Sequence, residues 1–222
     1  MEKNPDQVQK SSIKKTGVVW HEDMTKHAPP GWPEATHCEN PQRLKSIMQR
    51  LRDCESFQEK DVELISEYAE ADKSFVNEGH NKDTYYDYIK KIYDPEPSLG
   101  DCYNNIHTSR ASLLAANAVK VALDEIYKKK TWKNAFLCIR PPGHHADSTG
   151  EGGYGFCYIN NVICGARYAQ KKYGVKRICI FDWDVHHGDS SQILTYDDAE
   201  ILYISFHRYD HGSMFPGKTG SH

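Results

Sequence analysis

The sequence contains no apolar run near the roughly 20 residues that a membrane-crossing helix needs, and its opening stretch, MEKNPDQVQKSSIKK, has no apolar signal core. These absences lead us to expect a soluble, intracellular chain with no membrane association. The seven cysteines, Cys38, Cys54, Cys102, Cys138, Cys157, Cys164 and Cys179, include no C-x-x-C pair, which argues against a zinc ribbon or redox motif and fits a reducing compartment. Neither sign of charge is in large excess: charged residues make up 27% and the net charge is −3. An overall basic field for nucleic acid is therefore absent, as is the acidic excess of a disordered chain. No repeat, low-complexity tract or linker divides the 222 residues, so one large domain is expected. Residues 1–15 are polar and read as a disordered tail, where Lys10, Lys14 and Lys15 fit a solvated segment better than an import signal. The domain then occupies 16–222.

Asn40 followed by Pro41 marks a helix start, a capping side chain before a proline at the first helical position. Leu44, Ile47, Met48 and Leu51 give that helix one apolar face. Leu113, Leu114, Ala118, Val121, Ala122 and Ile126 recur at helical spacing and predict a helix over 109–129, with lysines gathered at its end. A third helix is expected over 159–173, stopped by Gly174. Three short apolar runs, AFLCI at 135–139, RICIF at 177–181 and ILYISF at 201–206, read as strands. Their near-continuous apolarity predicts cover on both faces, the habit of a parallel sheet between helices. The fold class is α/β, an open and mainly parallel sheet with helices on both faces.

Polar residues crowd the carboxyl end of each run: RPPGHHAD at 140–147, DWDVHHGD at 182–189 and HRYDHG at 207–212. Open parallel sheets carry their active sites at that edge, so three clusters distant in sequence are expected to converge. Asp184 and His186 are two apart, so in extended backbone they leave the same face and can hold one ion through an oxygen and a nitrogen, a pair that suits Zn²⁺. A partly open shell leaves a place for water, and the metal then polarises a carbonyl and acidifies that water. The plainer reading of the same loop is a set of carboxylates capping a helix over 190–196. His144 and His145 lie in a turn stiffened by Pro141 and Pro142, with Gly143 allowing close backbone approach. A carboxylate behind each imidazole would set its tautomer and raise its basicity, and Asp182 and Asp189 are the available partners. Two such pairs beside a metal site can hydrolyse an amide, one imidazole taking a proton from water and another giving one to the leaving amine.

The runs RPPGHHA, GFCYINN, DWDVHHGD and ISFHRYDHGSMFPG resemble, in order and spacing, signature segments of the histone deacetylases, whose catalytic domain has the arginase-deacetylase fold. HCENPQRL at 37–44 is similar to that family's early H-x-E-x-P-x-R-L segment, and the resemblance extends from about residue 17 to the end. It implies zinc-dependent removal of acetyl groups from lysine side chains, in histone tails above all, with repression of transcription following from the restored lysine charge on DNA phosphate. By resemblance Asp184 and His186 are zinc ligands, His144 and His145 the catalytic imidazoles, and Asp182 and Asp189 their respective partners. Gly155 and Phe156 look like one wall of an acyl-lysine tunnel and Phe215 like the facing aromatic, where ordinary core packing is the plainer reading of both rings. Asp182, Asp184, His186, Ser205 and Phe206 match a monovalent-cation site of the kind that takes K⁺, and Asp101 matches loosely an acidic residue at the substrate rim. Nucleus and cytoplasm, and corepressor partners without direct nucleic-acid binding, are what the resemblance implies.

Three departures stand beside it. FDWDVHHG and YISFHRYD look like the class II branch, yet Asp189 stands where that branch commonly has asparagine. The stretch 147–154 is slightly longer than usual. The sequence ends at Gly217-Lys218-Thr219-Gly220-Ser221-His222, before the family's second metal aspartate and its oxyanion-steadying tyrosine or histidine. The expectation is a domain incomplete at its C-terminus that supplies two of three zinc ligands. The competing expectations are a catalytically inactive form acting through partner binding, or a deacetylase of non-histone proteins or polyamines.

Overall fold

The computed structural model describes residues 15–34, 37–58, 61–80, 82–92, 102–146, 153–217 and 220. Asp101, Lys10, Lys14 and most of the lengthened 147–154 stretch lie outside them. Strand β1 (Lys15–Val19) begins one residue inside the segment read as a tail. Helix α1 (Pro41–Arg52) starts where the sequence marks it, the Asn40 side chain accepting a hydrogen bond from the Gln42 amide at 2.9 Å. Its buried face is narrower than expected: Leu44 and Met48 are buried, whereas Ile47 is exposed. Strand β2 (Val62–Ile65) and the short helices α2 (Lys73–Gly79) and α3 (Tyr85–Lys90) follow.

Helix α4 (Thr108–Leu123) carries the long apolar stripe, and its expected last turns are wider, a π-helical segment over Asp124–Lys129 ended by Lys130 in a left-handed conformation. Strand β3 (Trp132–Leu137) starts earlier than AFLCI because Trp132 is fully buried, although pairing continues to Cys138, whose amide donates to the Val19 carbonyl. Helix α5 (Asn161–Tyr173) is capped by Asn160 and stopped by Gly174 at φ 66°. Strand β4 (Ile178–Asp182), helix α6 (Asp189–Thr195) and strand β5 (Ile201–Ser205) complete the order.

Every strand pairing among the described residues is parallel, in two groups ordered β2-β1-β3 and β4-β5. The expected α/β class holds. Ala118 and Ala122 of α4 pack on Val19 and Trp132, while Ile163 and Ala166 of α5 and Leu194 of α6 pack on Ile180 and Ile201. Cover on both faces of β4 and β5, expected from their apolarity, is not found: Phe181, Leu202 and Phe206 are 55%, 60% and 64% exposed. Alternate residues of a strand leave opposite faces, and α5 and α6 lie on only one of them. A cleft of about 820 Å³ opens between β3 and β4, lined by Leu137, Ile139, Ile178, Ile180 and Phe181.

Candidate active site

Three loops leave the carboxyl ends of β3, β4 and β5, and the first is fixed by a buried ion pair. Arg140 is 2% exposed and donates to both Glu39 carboxylate oxygens at 2.8 Å, and to the Met24 and His27 carbonyls at 2.7 and 2.5 Å. Tyr103 donates to Glu39 Oε2 at 2.7 Å and accepts from Arg140. Burial alone would raise the Glu39 carboxyl, but the Arg140 and Tyr103 bonds outweigh it and hold the group below its ordinary range. The bidentate pair locks the turn that presents the next residues.

Those residues are His144 and His145, with ring centroids 4.0 Å apart. His144 Nδ1 meets Asp182 Oδ2 at 2.9 Å, and His145 Nδ1 meets Asp189 Oδ1 at 2.8 Å. With carboxylates as acceptors, each imidazole donates from Nδ1 and presents Nε2 on its other side. The two environments differ. Burial pulls the His144 pKa down, but the hydrogen bond and charge of Asp182, with Asp184 and Asp189, prevail and raise it. For His145 burial prevails over Asp189, helped by the neighbouring His144 and His186, and the pKa falls.

Asp184 and His186 stand at the mouth of the same site. Their Oδ1 and Nδ1 atoms are 3.1 Å apart, close to the roughly 3.3 Å edge of a tetrahedron drawn around Zn²⁺ with bonds of about 2.0–2.1 Å. The pair therefore fits two corners of such a centre, and among the described residues no group of three His, Cys, Asp or Glu gathers as a metal site. The carboxylate and imidazole are partly exposed, at 48% and 32%.

His144, His145, Asp184 and His186 share a pocket of about 430 Å³ with Gly155, Phe156 and Phe215. Phe215 stands edge-on to His145, with centroids 4.9 Å apart, and to His186 at 5.7 Å. Gly155 has φ +52°, and a β-carbon there would come within 2.5 Å of the His145 ring, so the close approach requires glycine. Phe156 itself takes φ 68°, and its amide donates to Cys102 Sγ. Both phenylalanines line this cavity and also pack against other rings, Phe156 on His37 with centroids 5.3 Å apart and Phe215 on Tyr154 at 4.9 Å. Ser205 pairs with Asp182 across the strands, and the Phe206 amide donates to the Asp182 carbonyl at 2.9 Å.

A family model of the histone deacetylase domain matches residues 37–222. The chain belongs to the histone deacetylase family. It is 34% identical over 191 residues to "Histone deacetylase 6" of Caenorhabditis elegans, covering 82% of this chain and 20% of that protein. It is 34% identical over 209 residues to "Polyamine deacetylase HDAC10" of Mus musculus, covering 90% of this chain and 30% of that protein. The solved HDA15 HD domain superposes with a TM-score of 0.78 at 31% identity, over 92% of this chain and 58% of that one. The chain thus spans less than a third of these two curated relatives.

Within this member of the histone deacetylase family, nothing in the sequence marks Tyr203 and Tyr103 as partners in the pocket's surroundings. Tyr203 reads as one more apolar strand residue in ILYISF, and only the parallel register, which sets Ile180 beside Tyr203 and Asp182 beside Ser205, brings its hydroxyl to Asp182. Tyr103 carries no motif at all.

Proposed function

We infer that the chain contributes two His–Asp pairs and two metal donors to a zinc-dependent deacetylase that hydrolyses acetyl-lysine amides, with histone tails as substrate and transcriptional repression as the outcome. The observation that supports this most is the gathering of His144, His145, Asp184 and His186 in one pocket walled by Phe156 and Phe215. A Zn²⁺ held by Asp184 and His186 supplies polarisation of the amide carbonyl and acidification of water. His145, neutral at lower pH and turned by Asp189, is the proton acceptor. His144, which keeps its charge to higher pH, supports developing negative charge and returns a proton to the leaving amine. The phenylalanine walls suit the apolar stem of a lysine whose polar amide lies at the bottom.

Asp182, Ser205 and Phe206 are proposed as the K⁺ site on the family resemblance alone; β4 and β5 set Asp182 beside Ser205. Acetylated non-histone proteins, corepressor partners and residence in nucleus or cytoplasm belong to the same proposal. A second reading, hydrolysis of acetylated polyamines, is favoured by the match to a relative named a polyamine deacetylase. A purified deacetylase domain carrying this chain, offered an acetyl-lysine peptide and an N-acetylated polyamine with and without added zinc, tests both. Release of acetate from neither substrate, at any zinc level, would overturn the deacetylase reading.

A further inference from the structure

Asp182 Oδ2 accepts two hydrogen bonds, from His144 Nδ1 at 2.9 Å and from the Tyr203 hydroxyl at 2.9 Å, while its Oδ1 accepts from the Asp184 amide at 3.1 Å. A phenol has one proton, and Tyr203 has a second acceptor within reach, the Gly188 carbonyl at 3.1 Å. That carbonyl already receives the Gln192 amide at 3.0 Å in the first turn of α6. The carboxylate is closer and charged, so the Tyr203 proton goes to Asp182. The hydroxyl is also confined: a β-carbon on Gly188 would come within 2.4 Å of Tyr203 Oη and Asp182 Oδ2 and 3.1 Å of His144 Nδ1, so the three polar groups are packed against a bare backbone. The tyrosine ring is held from behind by its packing against the Ile163, Ile180 and Leu194 cluster.

We propose that Tyr203 is a positioning residue for the His144–Asp182 pair, acting through the carboxylate and touching no substrate. A carboxylate held by one imidazole can rotate about its Cβ–Cγ bond and exchange its two oxygens. Donors on both oxygens, from β5 on one side and the 182–184 turn on the other, fix which oxygen faces His144 and hence the plane of the imidazole. The role of His144 in hydrolysis belongs to the function proposed above, but the positioning is a property of the folded chain and is tested without turnover.

The experiment is imidazole ¹H–¹⁵N NMR on the labelled protein, with Tyr203→Phe compared with the parent and with Asp182→Asn used to identify the His144 Nδ1–H signal. The unaltered His145–Asp189 pair is an internal reference in the same molecule. Tyr203→Phe keeps the ring and its packing, and we expect solvent exchange of the His144 Nδ1–H to rise roughly tenfold, the scale of one lost hydrogen bond to a charged group, with the His145 signal unchanged. No change at His144, or an equal acceleration at both imidazoles, overturns the proposal, the latter because it would reflect general loosening. Absence of acetate release by a deacetylase domain carrying this chain would sink the deacetylase reading and leave this result standing.

Discussion

His144 and His145 have ring centroids 4.0 Å apart and are each backed by one aspartate, yet their pKa values move in opposite directions, His144 up and His145 down. The difference lies in what surrounds each pair. His145 is almost completely buried with two other imidazoles facing it, whereas three carboxylates act on His144.

In a deacetylase domain carrying this chain, His145→Ala should lower kcat by about 100-fold or more while bound zinc is retained, because a proton acceptor acts on the reaction and does not hold the ion. In the unaltered domain, activity should rise with pH through a value below the usual histidine range of about 6.5, as His145 loses its proton, and decline above that range as His144 loses its own. A pH–rate profile with a reporter-linked acetyl-lysine peptide measures both limbs. Near-normal turnover in His145→Ala would move the acceptor role elsewhere.

Asp184→Asn and His186→Ala should each reduce zinc binding by at least about tenfold, since each removes one of two donors 3.1 Å apart. Equilibrium dialysis with zinc quantified in both compartments checks this. Unchanged zinc content in both variants would remove the pair from the metal site.

Gly155→Ala should destabilise the protein by roughly 1–3 kcal/mol and block the pocket, because the added methyl meets the His145 ring and the backbone is left-handed there. Thermal melting gives the first quantity. An unchanged melting temperature would show that the ring has room to give.

Acid sensitivity follows from His27, which burial, with Arg140 adding to it, holds neutral down to a pKa of about 3 despite Glu39 nearby. A depressed folded value means that the unfolded chain binds the extra proton first as pH falls below about 6.5, so this contribution is complete above that value and declines toward pH 3. Melting temperature should therefore fall between about pH 6.5 and 4.5, before most carboxyls titrate, and His27→Gln should flatten that slope. An unchanged slope in the variant would assign the loss to other groups.

Glu39→Gln should cost about 3–5 kcal/mol, because it leaves the Arg140 guanidinium buried without its counter-charge. Chemical denaturation reads the loss. A cost below about 1 kcal/mol would mean that the Met24 and His27 carbonyls and Tyr103 suffice.

The local elements were legible in the sequence because each is encoded within a few residues: Asn40–Pro41 starts α1, Gly174 ends α5, and the apolar runs mark β3, β4 and β5. Strands β1 and β2 escaped because KTGVV and VELI are interrupted by polar residues and glycine and show no continuous apolar run, and they are strands through pairing with each other and, for β1, with β3. The candidate donors and imidazoles could be named from DWDVHHGD and RPPGHH, since side-chain chemistry travels with the residue. The family resemblance named Asp182 and Asp189 as partners of the two imidazoles; what only tertiary structure decided is which atoms meet, Nδ1 to Oδ2 in one pair and Nδ1 to Oδ1 in the other, the reach of Tyr203 to the neighbouring strand, and the opposite shifts of adjacent imidazoles. Hydrogen bonds and desolvation act over a few ångströms, and distances between residues roughly 40 positions apart are set by strand register and helix packing, which no local pattern encodes.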